Sequence, residues 1–94
     1  MPRKKAATGF EAEHRLVKVR WLDTILINRW TSLEDAQAIR PSENISVGWI
    51  IEEDESHLTI AASWDIENNN VANCDSFPKV NVISVEDLAL KRKT

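Results

Sequence analysis

The feature that most constrains the fold is a pair of alternating apolar stretches joined by an acidic segment. Val47-Gly48-Trp49-Ile50-Ile51 is followed by Glu52-Glu53-Asp54-Glu55-Ser56 and then by Leu58-Thr59-Ile60-Ala61-Ala62. Apolar residues at every second position indicate half-buried strands, and a short polar connection between two such runs predicts a β-hairpin. The acidic segment is either a surface that meets a basic partner or a solvated hairpin tip that discourages edge aggregation.

Further strands are predicted on both sides of this hairpin. The first runs from His14 to about Asp23, and its alternation directs three side chains to the core, namely Val17, Val19 and Trp21. The second strand runs from about Asn44 to Glu53. Four apolar residues lie on one of its faces, namely Ile45, Val47, Trp49 and Ile51. Gly48 weakens this strand unless a backbone or a bulky side chain approaches it or the strand bends there. We therefore expect a bent sheet that curls around the indoles of Trp21 and Trp49.

A helix signal lies between the first two strands. Thr31-Ser32-Leu33-Glu34 fits a capping box with Thr31 as the N-cap. Leu33, Ala36 and Ile39 form a narrow apolar stripe, and Pro41 disfavours helix at the residue before it. The pattern predicts a helix of about two turns.

The last third of the chain predicts shorter elements. The third strand runs from His57 to Ile66, and the asparagines that follow it favour a turn because Asn tolerates the left-handed region. Val71–Phe77 is expected to form a ragged strand that Pro78 ends or places at an edge. Val80–Val85 is the last clear strand, and Ser84 could cap a closing helical turn.

This order predicts a mainly β fold. It is either a small, strongly bent antiparallel sheet or an SH3-like or Sm-like barrel, with one short helix between the first two strands. An open α+β sheet is the alternative. We expect a flexible tail over residues 1–12, a single domain over 13–90 and a basic tail over 91–94.

Composition argues against several classes of function. Twelve basic and 15 acidic residues give a net charge of −3 and a pI near 5.3, which disfavours a dedicated nucleic-acid-binding protein. Cys74 is the one cysteine, so no internal disulfide forms and a reducing, cytoplasmic compartment is favoured. No apolar run approaches the roughly 20 residues of a membrane span.

The sequence contains no recognisable catalytic or metal-binding motif. His14, His57 and Cys74 are far apart and form no paired ligand motif. Asp75 beside Cys74 would disfavour the thiolate that nucleophilic catalysis needs. We therefore predict no catalytic residues, no metal and no cofactor. A small carboxylate-dependent hydrolase remains a minor alternative.

The candidate binding residues are Arg29, Trp30, Trp64 and Lys79. Trp and Arg are enriched where binding energy concentrates, and together they can stack on a nucleotide and neutralise it. The structural alternative is that Trp30 caps the open end of the core and that Trp64 lies within the core.

The assembled pattern resembles a group of small proteins encoded by tailed bacteriophages. It comprises Val19-Arg20-Trp21-Leu22-Asp23, the Gly48-Trp49 hairpin with its Glu53-Asp54, and Phe77-Pro78-Lys79 before the last strand. The resemblance covers roughly residues 16–88 and implies a phage origin without implying a reaction. The chain departs from the group in having Phe77 in place of Ile and a longer, helix-containing insert between Asp23 and Ser46.

Size, the missing catalytic motif and the Trp content together favour a non-enzymatic binding protein. By analogy with other small phage proteins, we expect a homo-oligomer in the host cytoplasm. It would bind a host protein or sequester a nucleotide signal, and so interfere with a process such as antiviral defence. The alternatives are an Sm-like nucleic-acid-binding protein that uses Lys18, Arg20 and the basic ends, and a minor virion component.

Overall fold

The computed structural model describes residues 14–88. These residues form an antiparallel sheet of five strands in the order β4-β3-β2-β1-β5. This confirms the predicted mainly β class and the short helix between the first two strands. The sheet stays open, so the closed form of the predicted barrel is not observed. The elements are β1 (Leu16–Asp23), α1 (Leu33–Gln37), β2 (Ser42–Glu53), β3 (His57–Asp65), β4 (Asn70–Pro78), a 3₁₀ turn (Lys79–Asn81) and β5 (Val82–Asp87).

The core lies on one face of this sheet. Its fully buried residues come from three strands: Val17, Val19, Leu58, Ile60 and Phe77. The indole of Trp21 packs against them, and its Nε1 donates a hydrogen bond to Ser46 Oγ at 3.0 Å. The prediction that Val17, Val19 and Trp21 face the core is confirmed.

At Gly48 the backbone of β3 comes close to β2. A Cβ at Gly48 would lie 2.6 Å from the carbonyl oxygen of Ala61. Only a residue without a side chain fits against this backbone, so the structure selects a close backbone approach from the alternatives that the sequence left open for Gly48. β1 pairs with residues 42–49 of β2 and β3 pairs with residues 49–53, so the two ends of β2 have different neighbouring strands.

The expectation that Trp21 and Trp49 share one core is wrong. The register pairs Val17 with Gly48 and Val19 with Ser46, so the even-numbered residues of β2 up to Ile50 lie on the core face. Trp49 pairs with Leu16 and therefore lies on the outer face, where its ring meets that of Trp64 edge-on at 6.1 Å. Alternation along β2 gave the two faces, but the register with β1 decides which face is buried.

The end of the domain also differs from the prediction. Ser84 does not cap a helical turn, because β5 continues to Asp87 in an antiparallel ladder that pairs Val85 with Val19. The helical turn comes earlier, at Lys79–Asn81, directly after Pro78. β4 lies at the sheet edge, as Pro78 predicted, and Asn69 in the preceding turn has a φ of 58° in the left-handed region.

The predicted tails at residues 1–12 and 91–94 lie outside the described residues, as do both ends of the predicted domain 13–90. Across positions 14–88, no helix combines the length and the apolar character that crossing a membrane requires.

Candidate protein-binding surface

The insert of residues 24–41 connects β1 to β2 and contains the short helix α1. Ser32 is the N-cap, since its Oγ accepts a hydrogen bond from the Asp35 amide at 3.0 Å. The predicted cap, Thr31, is therefore wrong by one residue. Two adjacent hydroxyl residues both satisfy the capping pattern, and the chain uses the second of them. Glu34 and Asp35 lie in the first turn, where they suit the positive end of the helix dipole.

Large apolar side chains of the insert lie on its surface. Trp30 is 99% exposed, Leu26 84% and Leu33 74%, and α1 has no buried residue. The predicted stripe of Leu33, Ala36 and Ile39 thus does not pack into the core, and Trp30 does not cap it. We call Leu26, Trp30 and Leu33 the insert surface. It offers apolar area that the domain leaves in water, which is typical of interaction sites.

Most basic side chains of the sheet already have a carboxylate partner. Lys18 Nζ lies 3.2 Å from Glu86 Oε1, and the Arg20 guanidinium pairs with Glu43. Arg15 donates to Asp87 Oδ1 at 2.9 Å, a hydrogen bond that raises the pKa of its guanidinium. These pairs neutralise the face that a nucleic-acid backbone would have to contact.

Two arginines of the insert differ from the basic residues of the sheet. Arg40 Nη1 donates to the backbone carbonyls of Gln37 and Ile39, at 3.0 and 2.9 Å. Arg29 is exposed beside Trp30. Within residues 14–88, neither guanidinium forms an ion pair with a carboxylate. The predicted pair Arg29 and Trp30 is therefore adjacent and accessible.

Trp64 is half-buried near the end of β3. Its ring packs against that of His14, with centroids 4.3 Å apart, and its Nε1 donates to Asn69 Oδ1 at 3.0 Å. A shallow cavity of about 300 Å³ lies beside it, lined by Ser63, Trp64, Asp65, Asn70, Val71 and Ala72. The one charged group there is the Asp65 carboxylate, whose pKa is lowered by the side-chain hydrogen bond from Asn68. An ionised carboxylate makes this cavity unsuitable for an anion.

Lys79 lies far from Trp64. It begins the 3₁₀ turn, and its Nζ is 3.2 Å from Glu53 Oε2. His57 at the start of β3 pairs with Pro78, so Trp64 lies seven residues further along the strand. At about 3.3 Å per residue this separates the two sites by about 23 Å. Arg29 and Trp30 are sequence neighbours that are both exposed, whereas Trp64 and Lys79 lie at opposite ends of the β3–β4 hairpin.

The acidic segment forms a structured turn between β2 and β3. Asp54 Oδ1 accepts hydrogen bonds from the amides of His57 and Ser56, at 2.9 and 2.8 Å, and these bonds lower the pKa of its carboxyl. Ligand atoms of Glu52, Asp54 and His57 lie within 4.8 Å of one another. The turn explains this grouping, because Asp54 Oδ1 is already engaged by the backbone that it caps.

Sequence reasoning found Trp30 and missed the other two members of the insert surface. In the sequence, Leu33 belongs to the apolar stripe with Ala36 and Ile39, and Leu26 lies in an apolar run that is equally typical of a strand extension or of a loop packed on the core. The sequence carries no signal for this, because the helix is shorter than the two predicted turns: the five residues of α1 present little more than one turn and bury no stripe.

Comparison of the chain with models of known protein families, with curated proteins and with solved structures finds no match. The exposure of the insert surface therefore carries the functional argument.

Proposed function

We propose that this chain is a non-enzymatic binding protein that engages another protein through its insert surface. The observation that carries the proposal is the 99% exposure of Trp30. An indole left in water forgoes a large burial energy, and Trp is among the residues that dominate binding interfaces. Leu26 and Leu33 extend the apolar area on the same insert.

The biological setting comes from the resemblance to small tailed-phage proteins. In that setting the partner is a host protein, binding takes place in the host cytoplasm, and its result is interference with a process such as antiviral defence. The mild net charge of −3 suits a protein surface as target better than a nucleic-acid backbone.

Capture from host lysate followed by a binding measurement on the purified pair tests the proposal. Wild-type chain and the Trp30→Ala variant serve as bait, and isothermal titration then gives Kd for each protein captured. A hot-spot truncation costs about 2 kcal/mol or more, so we expect Trp30→Ala to raise Kd by about 30-fold.

Val80→Ala is the matched control. Val80 is 90% exposed in the 3₁₀ turn, outside the insert, and its truncation is expected to leave Kd unchanged. Capture of no host protein, or equal Kd values for wild type and Trp30→Ala, would contradict the proposal.

A second candidate is capture of a nucleotide signal by Arg29 and Trp30. Their adjacency favours it, because an indole can stack on a base while a guanidinium meets a phosphate. Quenching of Trp30 fluorescence by a nucleotide, lost in Arg29→Gln, would support this function over protein binding.

Nucleic-acid binding through Lys18 and Arg20 is less well supported, since Glu86 and Glu43 already neutralise these side chains. An affinity for DNA or RNA that falls with added salt would support this function. A place in the virion would instead be detected by mass spectrometry of purified particles.

A further inference from the structure

We infer that β2 binds an extended segment of another protein, which adds to its open edge as a further strand at residues 43–47. The inference rests on the proposed function only for the class of partner, a protein. It uses main-chain groups of β2 instead of the insert surface, so the two can be tested separately.

The main-chain groups of β2 alternate between its two edges. The Ile50 amide donates to the Arg15 carbonyl at 2.8 Å, on the edge that β1 occupies. In an antiparallel pair every second residue makes such bonds, so the even-numbered residues of β2 from 44 to 50 face β1. The amide and carbonyl groups of three odd-numbered residues therefore point to the opposite edge: Glu43, Ile45 and Val47.

β3 covers only part of that opposite edge. It pairs with β2 at residues 49–53, beginning at the pair of Trp49 with Ala61. Within residues 14–88, no hydrogen bond reaches the outward main-chain groups at positions 43, 45 and 47. This stretch of β2 thus presents a regular ladder of donors and acceptors that the described part of the chain does not pair.

The two outer edges of the sheet are protected against strand addition, whereas this one is not. β4 contains Asn73 in the left-handed region and ends at Pro78, which has no amide hydrogen. β5 is only six residues long and ends in Glu86 and Asp87. Kinks, prolines, short strands and charges are the features by which sheets block pairing at an edge.

Residues 43–47 of β2 carry apolar side chains along the open edge. Their register with β1 is continuous, without a bulge. Ile45 is 58% exposed and Val47 46%, and the carboxylate of Glu43 is paired with Arg20. An exposed edge with β-branched residues and without an unpaired charge is a template for another strand.

The outward main-chain groups specify the chemistry of the ligand. They recur at every second residue, about 6.8 Å apart, and an extended main chain carries complementary groups at the same repeat. Addition of a peptide strand to an open edge is a general mode of protein recognition. The side chains of Ile45 and Val47 would lie beside those of the added segment. This favours a segment with β-branched or aromatic residues at alternate positions.

A segment of another protein fits this edge better than a second copy or the start of the chain itself. Two copies of β2 paired about Ile45 would place Pro41 of each opposite Trp49 of the other, where β3 already occupies the edge. Residues 1–13 contain Ala6-Ala7-Thr8-Gly9, whose composition disfavours a strand. The open stretch, bounded by the insert and by β3, therefore suits one short extended segment from a partner.

Peptide selection followed by NMR tests the inference on the full chain. A phage-displayed library of random octapeptides is selected on the wild-type chain, and the recovered peptides are synthesised. We expect a recovered peptide to slow hydrogen exchange of the Ile45 and Val47 amides by about tenfold or more, because each amide then donates to the peptide main chain. The inference is wrong if no peptide is recovered, or if every recovered peptide leaves exchange at both amides unchanged.

Ile45→Pro separates strand addition from other kinds of contact. The amide that it removes belongs to the open edge, so the sheet loses no hydrogen bond. We expect the affinity for the selected peptides to fall about tenfold, the cost of a main-chain hydrogen bond left unmade. If Ile45→Pro does not fold, Ile45→Lys takes its place, because the position is exposed and a lysine discourages pairing at an edge. Unchanged affinity in the folded variant would contradict the inference.

Ser76→Pro is the matched control on another edge. The Lys79 amide donates to the Ser56 carbonyl, and the alternation along β4 then directs the Ser76 amide to the outer edge of the sheet. This variant should bind the selected peptides as wild type does. A loss equal to that of Ile45→Pro would show that the peptides do not pair with β2.

The chain without peptide tests the other occupants of the edge. We expect fast exchange of the Ile45 and Val47 amides. Slow exchange that persists on dilution would assign the edge to the terminal residues of the same chain. Slow exchange that accompanies twice the 10.7 kDa mass would assign it to a second copy, and either result would overturn the inference. Trp30→Ala should leave the peptide affinity unchanged, so failure of strand addition and failure of the proposed function are distinguishable.

Discussion

The rings of Trp21 and Phe77 lie 4.8 Å apart although β2 and β3 stand between their strands in the sheet. In a flat sheet, β1 and β4 would be separated by three strand spacings of about 4.8 Å, or about 14 Å. The contact between these rings therefore shows that the open sheet curls around its core, which brings β1 and β4 towards each other. Phe77 is the buried residue that β4 contributes to this core.

Phe77→Ala should be the most destabilising single truncation on β4. Phe77 is buried against Leu58 and Trp21, and removing a buried phenyl ring costs about 3–5 kcal/mol of unfolding free energy. Urea unfolding followed by Trp fluorescence measures this loss. Val80→Ala, nearby but exposed, should change stability by less than about 0.5 kcal/mol. Similar values for both variants would show that the sheet does not close over Phe77.

Gly48→Ala should destabilise the domain by about 1–3 kcal/mol. The new Cβ would lie 2.6 Å from the backbone oxygen of Ala61, which cannot yield without moving β3. The sign of the effect is diagnostic. Where there is room, replacing Gly by Ala stabilises a protein by about 0.4–1 kcal/mol. A rise in the urea midpoint for Gly48→Ala would therefore disprove the close approach of the two strands.

How much of this fold was predictable depends on whether a feature is local. The core face of β1 was predictable because apolar and charged residues alternate along the strand. Val17, Val19 and Trp21 lie on one face, and the charged Lys18 and Arg20 lie on the other. β2 has apolar residues on both faces, so alternation alone could not decide between them. The register with β1 made that decision, and this register pairs residues that are 19 to 33 positions apart in sequence.

The same limit applies to the candidate site. Adjacent Arg and Trp residues mark Arg29 and Trp30 as contact candidates, and the structure places both on the surface. Trp64 has an equally suggestive sequence context, yet its ring packs against His14 and its indole donates to Asn69. Composition identifies residues able to bind, whereas the surrounding fold decides which of them remain accessible.

Replacing Asn73 by Gly should leave the stability of the domain nearly unchanged, whereas replacing it by a β-branched residue should lower the stability. Asn73 lies within β4 with a φ of 56°, and its Nδ2 donates to Ser63 Oγ at 3.2 Å. A Val side chain in the left-handed region is strained by about 1–2 kcal/mol, whereas Gly is not. Asn73→Val should therefore lower the thermal midpoint more than Asn73→Gly does. Ala72→Val, one position earlier on the same edge strand, is the matched control. An equal effect of Val at positions 72 and 73 would argue against the left-handed conformation.

Protonation of the Asp54 carboxylate at low pH should destabilise the β2–β3 turn. Hydrogen bonds from the His57 and Ser56 amides hold the pKa of its carboxyl below the usual 3.8. A carboxyl whose pKa is lower in the folded chain stabilises the fold above the pKa of the unfolded state. That contribution disappears as pH falls below about 3.8 and through the folded pKa. NMR titration of the Asp54 side-chain carboxyl should thus give a midpoint below 3.8. Asp54→Asn keeps an accepting oxygen without the charge, so it should preserve the turn at neutral pH and remove this part of the acid sensitivity. A midpoint at or above the usual value would show that these amides do not hold the carboxylate in solution.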